Sequence, residues 1–241
     1  MTDNTQTRVT GYWNRYAREY DANQLERQQH SEVVAAWSRV WDAALPDAPS
    51  TVLDVGTGSG NVALLLADMG YRVTGVDLAE NMLAEARRKS GDNAPVFTLA
   101  DATSPPFEDA SFDAITARYA LWTLKDPVTA FRRWIALLRP GGILVAVDAL
   151  WFPEGISDAE PTTDRQADFQ KAYSESVLHD MPLAQSIDIH DTARLLKQAG
   201  FVDVVVDELP ELLQLDHRYG VAPGHQPRMQ YRITARVGDI V

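Results

Sequence analysis

The stretch from Val52 to Leu83, VLDVGTGSGNVALLLADMGYRVTGVDLAENML, decides how this chain folds. A first apolar run gives way to glycines at 56, 58 and 60, a helix-like run follows, and a second apolar run ends at Asp77. Glycines let a loop turn tightly and let a ligand approach the backbone with no Cβ in the way, while the next helix presents free N–H groups. Asp77 stands 17 positions after Gly60, close to the spacing of a carboxylate that accepts from ribose hydroxyls. The unit therefore predicts a nucleotide or nucleoside pocket. A dinucleotide would require a third glycine where Asn61 stands. Asp54, just before the loop, would repel a pyrophosphate and welcome an ammonium group, so the loop favours a cationic ligand over a nicotinamide dinucleotide.

Working outward, β-rich apolar runs near 51–55, 72–76, 95–100, 112–117 and 142–148 alternate with helical patterns near 60–69, 79–90 and 127–138. Short strands separated by helices predict an α/β fold with a Rossmann-like, doubly wound, mostly parallel sheet and helices on both faces. A helix at 191–199 and strands at 201–207 and 229–237 bring the sheet to seven strands. Pro140 and the glycines after it end the helix that precedes the fifth strand. Helices near 8–21 and 30–45 lie ahead of the sheet, so residues 1–45 read as an N-terminal helical lid and 46–241 as the ligand-binding domain. Residues 151–190, with Pro153, Pro161 and Pro182 around the helical run DRQADFQKAYSESVLHD, read as a cap inserted after strand five.

Composition bounds the function. The chain has 241 residues, a formal net charge of −12, no cysteine and five histidines without paired ligand spacing. The charge argues against nucleic acid, because phosphate-backbone binding rests on clustered Lys and Arg. The missing cysteines exclude disulfides and thiolate-bound metals, and no metal site is expected. No apolar run is long enough to span a bilayer and MTDNTQTRVT lacks a signal-peptide pattern, so a cytoplasmic protein without a membrane partner is expected. A monomer and a homodimer fit equally.

Five segments together resemble the class I S-adenosylmethionine-dependent methyltransferases, in the group that includes the ubiquinone and menaquinone methyltransferases. They are LDVGTGSGN, VTGVDLAENML, LADATSPPFEDASFDAI, ARYALWTL and LRPGGIL, and GYWNRYAREYD resembles that group's tyrosine-bearing lid. The resemblance implies S-adenosylmethionine as cofactor. Gly56, Thr57, Gly58, Gly60 and Asn61 would then pass under its methionine part, with Asp54 near the ammonium. Asp77 would bind the ribose, Leu78 and Met82 would flank the adenine, and Asp101 and Ala102 would meet the adenine edge. Arg118 would meet the methionine carboxylate, and Tyr12 and Tyr20 of the lid would face the cofactor. Where relatives carry a histidine after that arginine, this chain has Tyr119.

The expected activity is methyl transfer to a small molecule. An acceptor that loses a proton benefits from a base, and Tyr119, Asp148 and His179, with Glu154 beside them, are the candidates by position. Val9, Tyr12, Trp13, Tyr16 and Tyr20 recur at helical spacing. With Trp122, Trp151, Phe152 and Tyr173, the lid residue Tyr16 is expected to bind an aromatic or apolar acceptor, plausibly a secondary metabolite. A protein of this fold that only binds the cofactor or catalyses another reaction is the alternative, ahead of a nicotinamide oxidoreductase.

Overall fold

The computed structural model describes residues 4–92, 94–156, 160–221 and 226–238. Residues 1–3 of the expected lid, 157–159 of the expected cap and His225 fall outside them. A seven-stranded sheet forms from β1 (Thr51–Val55), β2 (Arg72–Asp77), β3 (Val96–Leu99), β4 (Phe112–Arg118), β5 (Leu138–Asp148), β6 (Val202–Glu208) and β7 (Tyr231–Arg236). Their spatial order is β3-β2-β1-β4-β5-β7-β6. All neighbours are parallel except β7, which runs antiparallel to both β5 and β6. The order reverses direction at β1 and β4, and ligands of such sheets bind beyond the carboxyl ends at that point.

Each central strand sends alternate side chains to opposite faces. Leu53, Val55, Ile115, Ala117, Leu144 and Ala146 join one core, under α5 (Pro127–Leu137) and α8 (His190–Ala199). Val52, Ala114, Ile143, Val145 and Val147 join the other, under α2 (Ser31–Asp42), α3 (Asn61–Asp68) and α9 (Pro210–Tyr219). Helix α4 (Glu80–Lys89) follows β2. Helix α1 (Asn4–Gln28) crosses the strand ends against α4 and against α6 (Asp164–Ala172), the first helix of the insertion. Among the described residues no helix is long and apolar enough to cross a membrane.

Several elements differ from the sequence expectation. Helix α1 is longer at both ends than 8–21. Helix α2, grouped with the lid, buries Trp37 and Trp41 in the sheet's own core, so of the two N-terminal helices only α1 roofs the strand ends. The helical run of the insertion is two helices, α6 and α7 (Glu175–His179), because Tyr173 leaves helical geometry at ψ 45° to bury its ring. Strand β5 begins at Leu138, pairing with Phe112 before a bulge. Helix α9 was not expected, although Pro210 in its first turn, Leu212 and Leu215 on one side and Gly220 after its end are start, stripe and stop signals.

Two buried carboxylates brace the carboxyl edge. Asp148 ends β5, and its Oδ2 accepts from the N–H of Leu121 and Trp122 at 3.1 and 3.4 Å. Its Oδ1 accepts from the Ala149 N–H at 2.9 Å and from the Trp151 indole. Asp54, inside β1, accepts from the hydroxyls of Thr57 at 2.6 Å and Thr116 at 2.8 Å. Burial pushes both carboxyls up to about 6.

The two sites respond differently to amide replacement. All four partners of Asp148 are N–H donors, so Asp148→Asn turns an NH₂ against two of them. It should lower stability by about 2 to 4 kcal/mol in urea unfolding. Both partners of Asp54 are hydroxyls, which can reverse, so Asp54→Asn keeps its hydrogen bonds. With a folded pKa above the unfolded value near 3.9, Asp54 stabilises fully only below about pH 4, and that contribution is lost as pH rises through about 6. Asp54→Asn should therefore gain on the parent by on the order of 1 to 3 kcal/mol between about pH 4 and pH 7, as measured by urea unfolding at a series of pH values.

Candidate active site

Beyond the ends of β1, β2 and β4 lies a cavity of about 920 Å³, roofed by α1 and α6. That volume is at the upper end of the range for small-molecule sites. Its floor is the glycine loop. Gly56, at φ 65°, has the Ala120 Cβ only 2.8 Å from where its own Cβ would stand, so it permits the close packing of two loops. Gly58, at φ 54°, has nothing within 4 Å of that position and lies on the cavity wall. It is the glycine that opens the backbone to a ligand. Gly60 caps α3 beneath the loop, away from the wall.

Asp77 holds this floor. Its Oδ2 accepts from the Gly58 N–H at 2.9 Å and its Oδ1 from the Ala79 N–H at 2.8 Å. Burial raises its pKa against those donors. A carboxylate has about four acceptor positions, so capacity remains for a hydroxyl arriving from the cavity. Leu78 and the buried Met82 line the same side, followed by Asp101 and Ala102. Asp101 accepts from the Thr103 N–H at 2.8 Å, and the Ala102 carbonyl accepts from the Trp134 indole at 2.8 Å. A hydroxyl-seeking carboxylate, an apolar slot and a second carboxylate in sequence suit a ribose joined to a purine. Arg118 lies over the rings of Trp37 and Tyr119, at 4.9 and 5.1 Å, and donates to the Gln24 side chain at 3.1 Å. It is one of the cations that line the cavity.

Across from the floor the wall is aromatic. Tyr12, Trp13 and Tyr20 come from α1, Trp122 from a single 3-10 turn at Leu121–Thr123, and Trp151, Phe152 and Phe169 from the insertion. Edge-to-face and tilted pairs connect them, including Tyr12 with Phe169 at 5.4 Å and Trp122 with Phe152 at 5.3 Å. Two expected contributors are not on this wall. The Tyr16 hydroxyl donates to Asp168 at 2.7 Å, which turns the ring outward from the cavity against α6. Tyr173 is buried behind the wall, where its hydroxyl accepts from the Trp13 indole at 2.8 Å.

The expected bases are placed differently from one another. Tyr119 reaches the cavity; Asp148 does not, since its oxygens are committed to the four N–H donors. His179 and Glu154 are exposed and off the wall. Asp54, Thr57 and Asn61 also lie behind the loop: Asp54 is 1% exposed, and Asn61 accepts from Gln28 at 3.1 Å. The acidic group expected beside an ammonium is a brace under the loop instead.

Sequence reasoning missed a polar side of the cavity made by Gln24 and Arg27 of α1, Asp216 of α9, and Gln230 before β7. Arg27 pairs with Asp216, and Gln230 donates to Asp216 at 2.9 Å. Asp216, a buried carboxylate in the apolar stripe of α9, was the one available signal. The pairing across nearly the whole chain had none. Arg165 of α6 is the other omission, reaching the Tyr12 hydroxyl at 3.2 Å.

Comparison with known proteins bears on the family and the fold. The methyltransferase domain family matches residues 53–146. The demethylmenaquinone methyltransferase of Thermus thermophilus is 39% identical over 48% of this chain and 55% of its own length. The chain thus spans about half the length of the curated relatives of that name. The O-methyltransferase cnsE of Penicillium expansum is 31% identical over 83% of this chain and 67% of its own length. Among solved structures, an S-adenosylmethionine-dependent methyltransferase from Mesorhizobium loti superposes with a TM-score of 0.61 at 24% identity, covering 84% of this chain and 97% of that one, which shows the shared fold. With that relatedness covering most of this chain and two thirds of the O-methyltransferase, this protein belongs to the class I S-adenosylmethionine-dependent methyltransferase family.

Proposed function

We propose that the protein transfers the methyl group of S-adenosylmethionine to a small molecule bearing an aromatic or other flat apolar group, by in-line displacement. The observation that carries this reading is the continuity of one cavity from Gly58 and Asp77 to Trp122, Trp151 and Phe152. A donor and an acceptor can meet in it without crossing solvent. S-adenosylmethionine, the cofactor of the family, supplies a methyl already activated on its sulfonium.

The chain's own contribution is placement. Gly58 leaves the loop backbone open, Asp77 takes ribose hydroxyls on its remaining acceptor capacity, and Leu78 and Met82 hold the purine, with Asp101 and Ala102 at its edge. Arg118 takes the methionine carboxylate, and Tyr12 and Tyr20 close over the cofactor from α1. Trp122, Trp151 and Phe152 orient the acceptor and exclude water. Such alignment is worth on the order of 7 to 11 kcal/mol of barrier in favourable cases. The kinship with enzymes named demethylmenaquinone methyltransferase supports a small-molecule acceptor. No base is assigned: Asp148, His179 and Glu154 do not reach the cavity, and burial raises the Tyr119 pKa, which keeps its phenol neutral. The acidic net charge supports a small-molecule partner over nucleic acid, and the lack of cysteine fits a cytoplasmic enzyme, monomeric or homodimeric.

Replacing Asp77 by alanine should weaken S-adenosylmethionine binding by roughly 1.5 to 3 kcal/mol per charged hydrogen bond lost. Calorimetric titration checks this, with circular dichroism to confirm a folded variant. Affinity equal to the parent's would remove the nucleoside from this position.

A further inference from the structure

The polar side of the cavity contains a chain of hydrogen bonds whose direction is forced. Arg27 carries only donors and pairs with Asp216, whose carboxylate carries only acceptors. Asp216 is buried, and its second oxygen accepts from the Gln230 amide nitrogen at 2.9 Å. Gln230, itself buried, therefore turns its carbonyl oxygen toward Tyr119, and that oxygen can only accept. The Tyr119 hydroxyl must donate its single hydrogen to Gln230. Its lone pairs are what it has left to offer the cavity, between the rings of Trp37 and Trp151.

The backbone reinforces this. Tyr119 sits at φ 57°, a left-handed conformation rare for a bulky residue, and its N–H donates to the Val147 carbonyl at 2.9 Å. Non-glycine residues held this way gather at functional sites.

We propose that the Tyr119 oxygen is a hydrogen-bond acceptor reserved for a hydroxyl or N–H on the aromatic methyl acceptor, so that the Arg27–Asp216–Gln230–Tyr119 chain makes the pocket select donor-bearing rings over their O-methylated counterparts. This rests on the acceptor site proposed above and adds its polarity. Tyr119 is a specificity-determining residue in this role. It orients the ring by accepting a hydrogen bond and takes no proton. A ring whose hydroxyl is already methylated presents an ether oxygen to the tyrosine's lone pairs, which repels. The same contact that orients the unmethylated ring therefore disfavours the methylated one.

Equilibrium dialysis of the full chain with 2-naphthol and with 2-methoxynaphthalene tests the selection. The unaltered protein should bind the naphthol about tenfold more tightly, the worth of one hydrogen bond at a buried site. Tyr119→Phe should bring the ratio below about twofold. Gln230→Leu frees the hydroxyl to turn into the cavity, so it should also bring the ratio below about twofold, by raising affinity for the ether. A ratio within about twofold in the unaltered protein, a ratio unchanged in Tyr119→Phe, or no binding of either probe would each overturn the proposal. Titration with S-adenosylhomocysteine runs alongside and separates the two readings. If it fails to bind the unaltered protein, the methyl-donor reading falls and the probe ratio still decides this one. If Tyr119→Phe loses only S-adenosylhomocysteine, the oxygen serves the methionine ammonium and the proposal is wrong.

Discussion

Two backbone N–H groups, from Gly58 and Ala79, end on the two oxygens of Asp77 at 2.9 and 2.8 Å, and the floor of the cavity depends on that pair. The two loops belong to different strands, β1 and β2, and beyond the strand ends the backbone pairing continues in the bond from the Thr57 N–H to the Val76 carbonyl at 2.9 Å. Asp77 adds to that tie from the last residue of β2, with a side chain short enough to reach both. The same carboxylate lines the cavity, so one residue shapes the site and stands where the proposed ligand would meet it. That double duty explains why an aspartate is suited here: a longer glutamate would reach past the Ala79 N–H, and an amide would set a donor against one of the two N–H groups.

Behind this floor the structure uses carboxylates where the sequence suggested chemistry. A carboxylate at a strand's end has two readings, as ligand for something in the cavity or as acceptor for the N–H groups that the ending strand and its loop leave unpaired. Asp148 takes the second, gathering Leu121, Trp122, Ala149 and the Trp151 indole, and thereby fixes the aromatic turn and the start of the insertion relative to β5. Asp54 does likewise for the glycine loop through Thr57, and for β4 through Thr116. Both are nearly unexposed, yet each oxygen has a donor, which is how buried charge is tolerated.

How much was legible follows from the range over which each feature is written. The seven strands and the glycine loop were readable because period-two apolar runs, glycine spacing and Asp77 are local patterns. The cavity wall at Leu78, Met82 and Asp101 came with them, since these residues lie within a few positions of a strand end. The split of the cap helix was not readable, because it depends on Tyr173 finding Trp13 in α1. Tyr16 failed for a related reason. Helical spacing put it on the same stripe as Tyr12 and Tyr20, but a stripe on a helix with partners on two sides has two destinations, and Asp168 on α6 decided between them. The polar side was written nowhere locally except at Asp216, because its four members, Gln24, Arg27, Asp216 and Gln230, come from α1, from α9 and from the segment before β7.

Helix α1 contributes to both halves of the cavity. Tyr12, Trp13 and Tyr20 face the aromatic wall, while Gln24, Arg27 and Gln28 reach the polar side and the glycine loop. Between these two sets sits Asp21, only 1% exposed, accepting from Lys89 and from Arg88 at the last turn of α4. Breaking a buried pair by removing one partner is costly, so this anchor pins the middle of α1 more firmly than exposed pairs such as Arg15 with Asp168 pin its flanks. A rotation of α1 about Asp21 would move the aromatic set and Arg27 together. The shape of the aromatic wall and the direction of hydrogen bonding at Tyr119 are therefore tied to the same helix position, because Arg27 and the α1 aromatics move as one body.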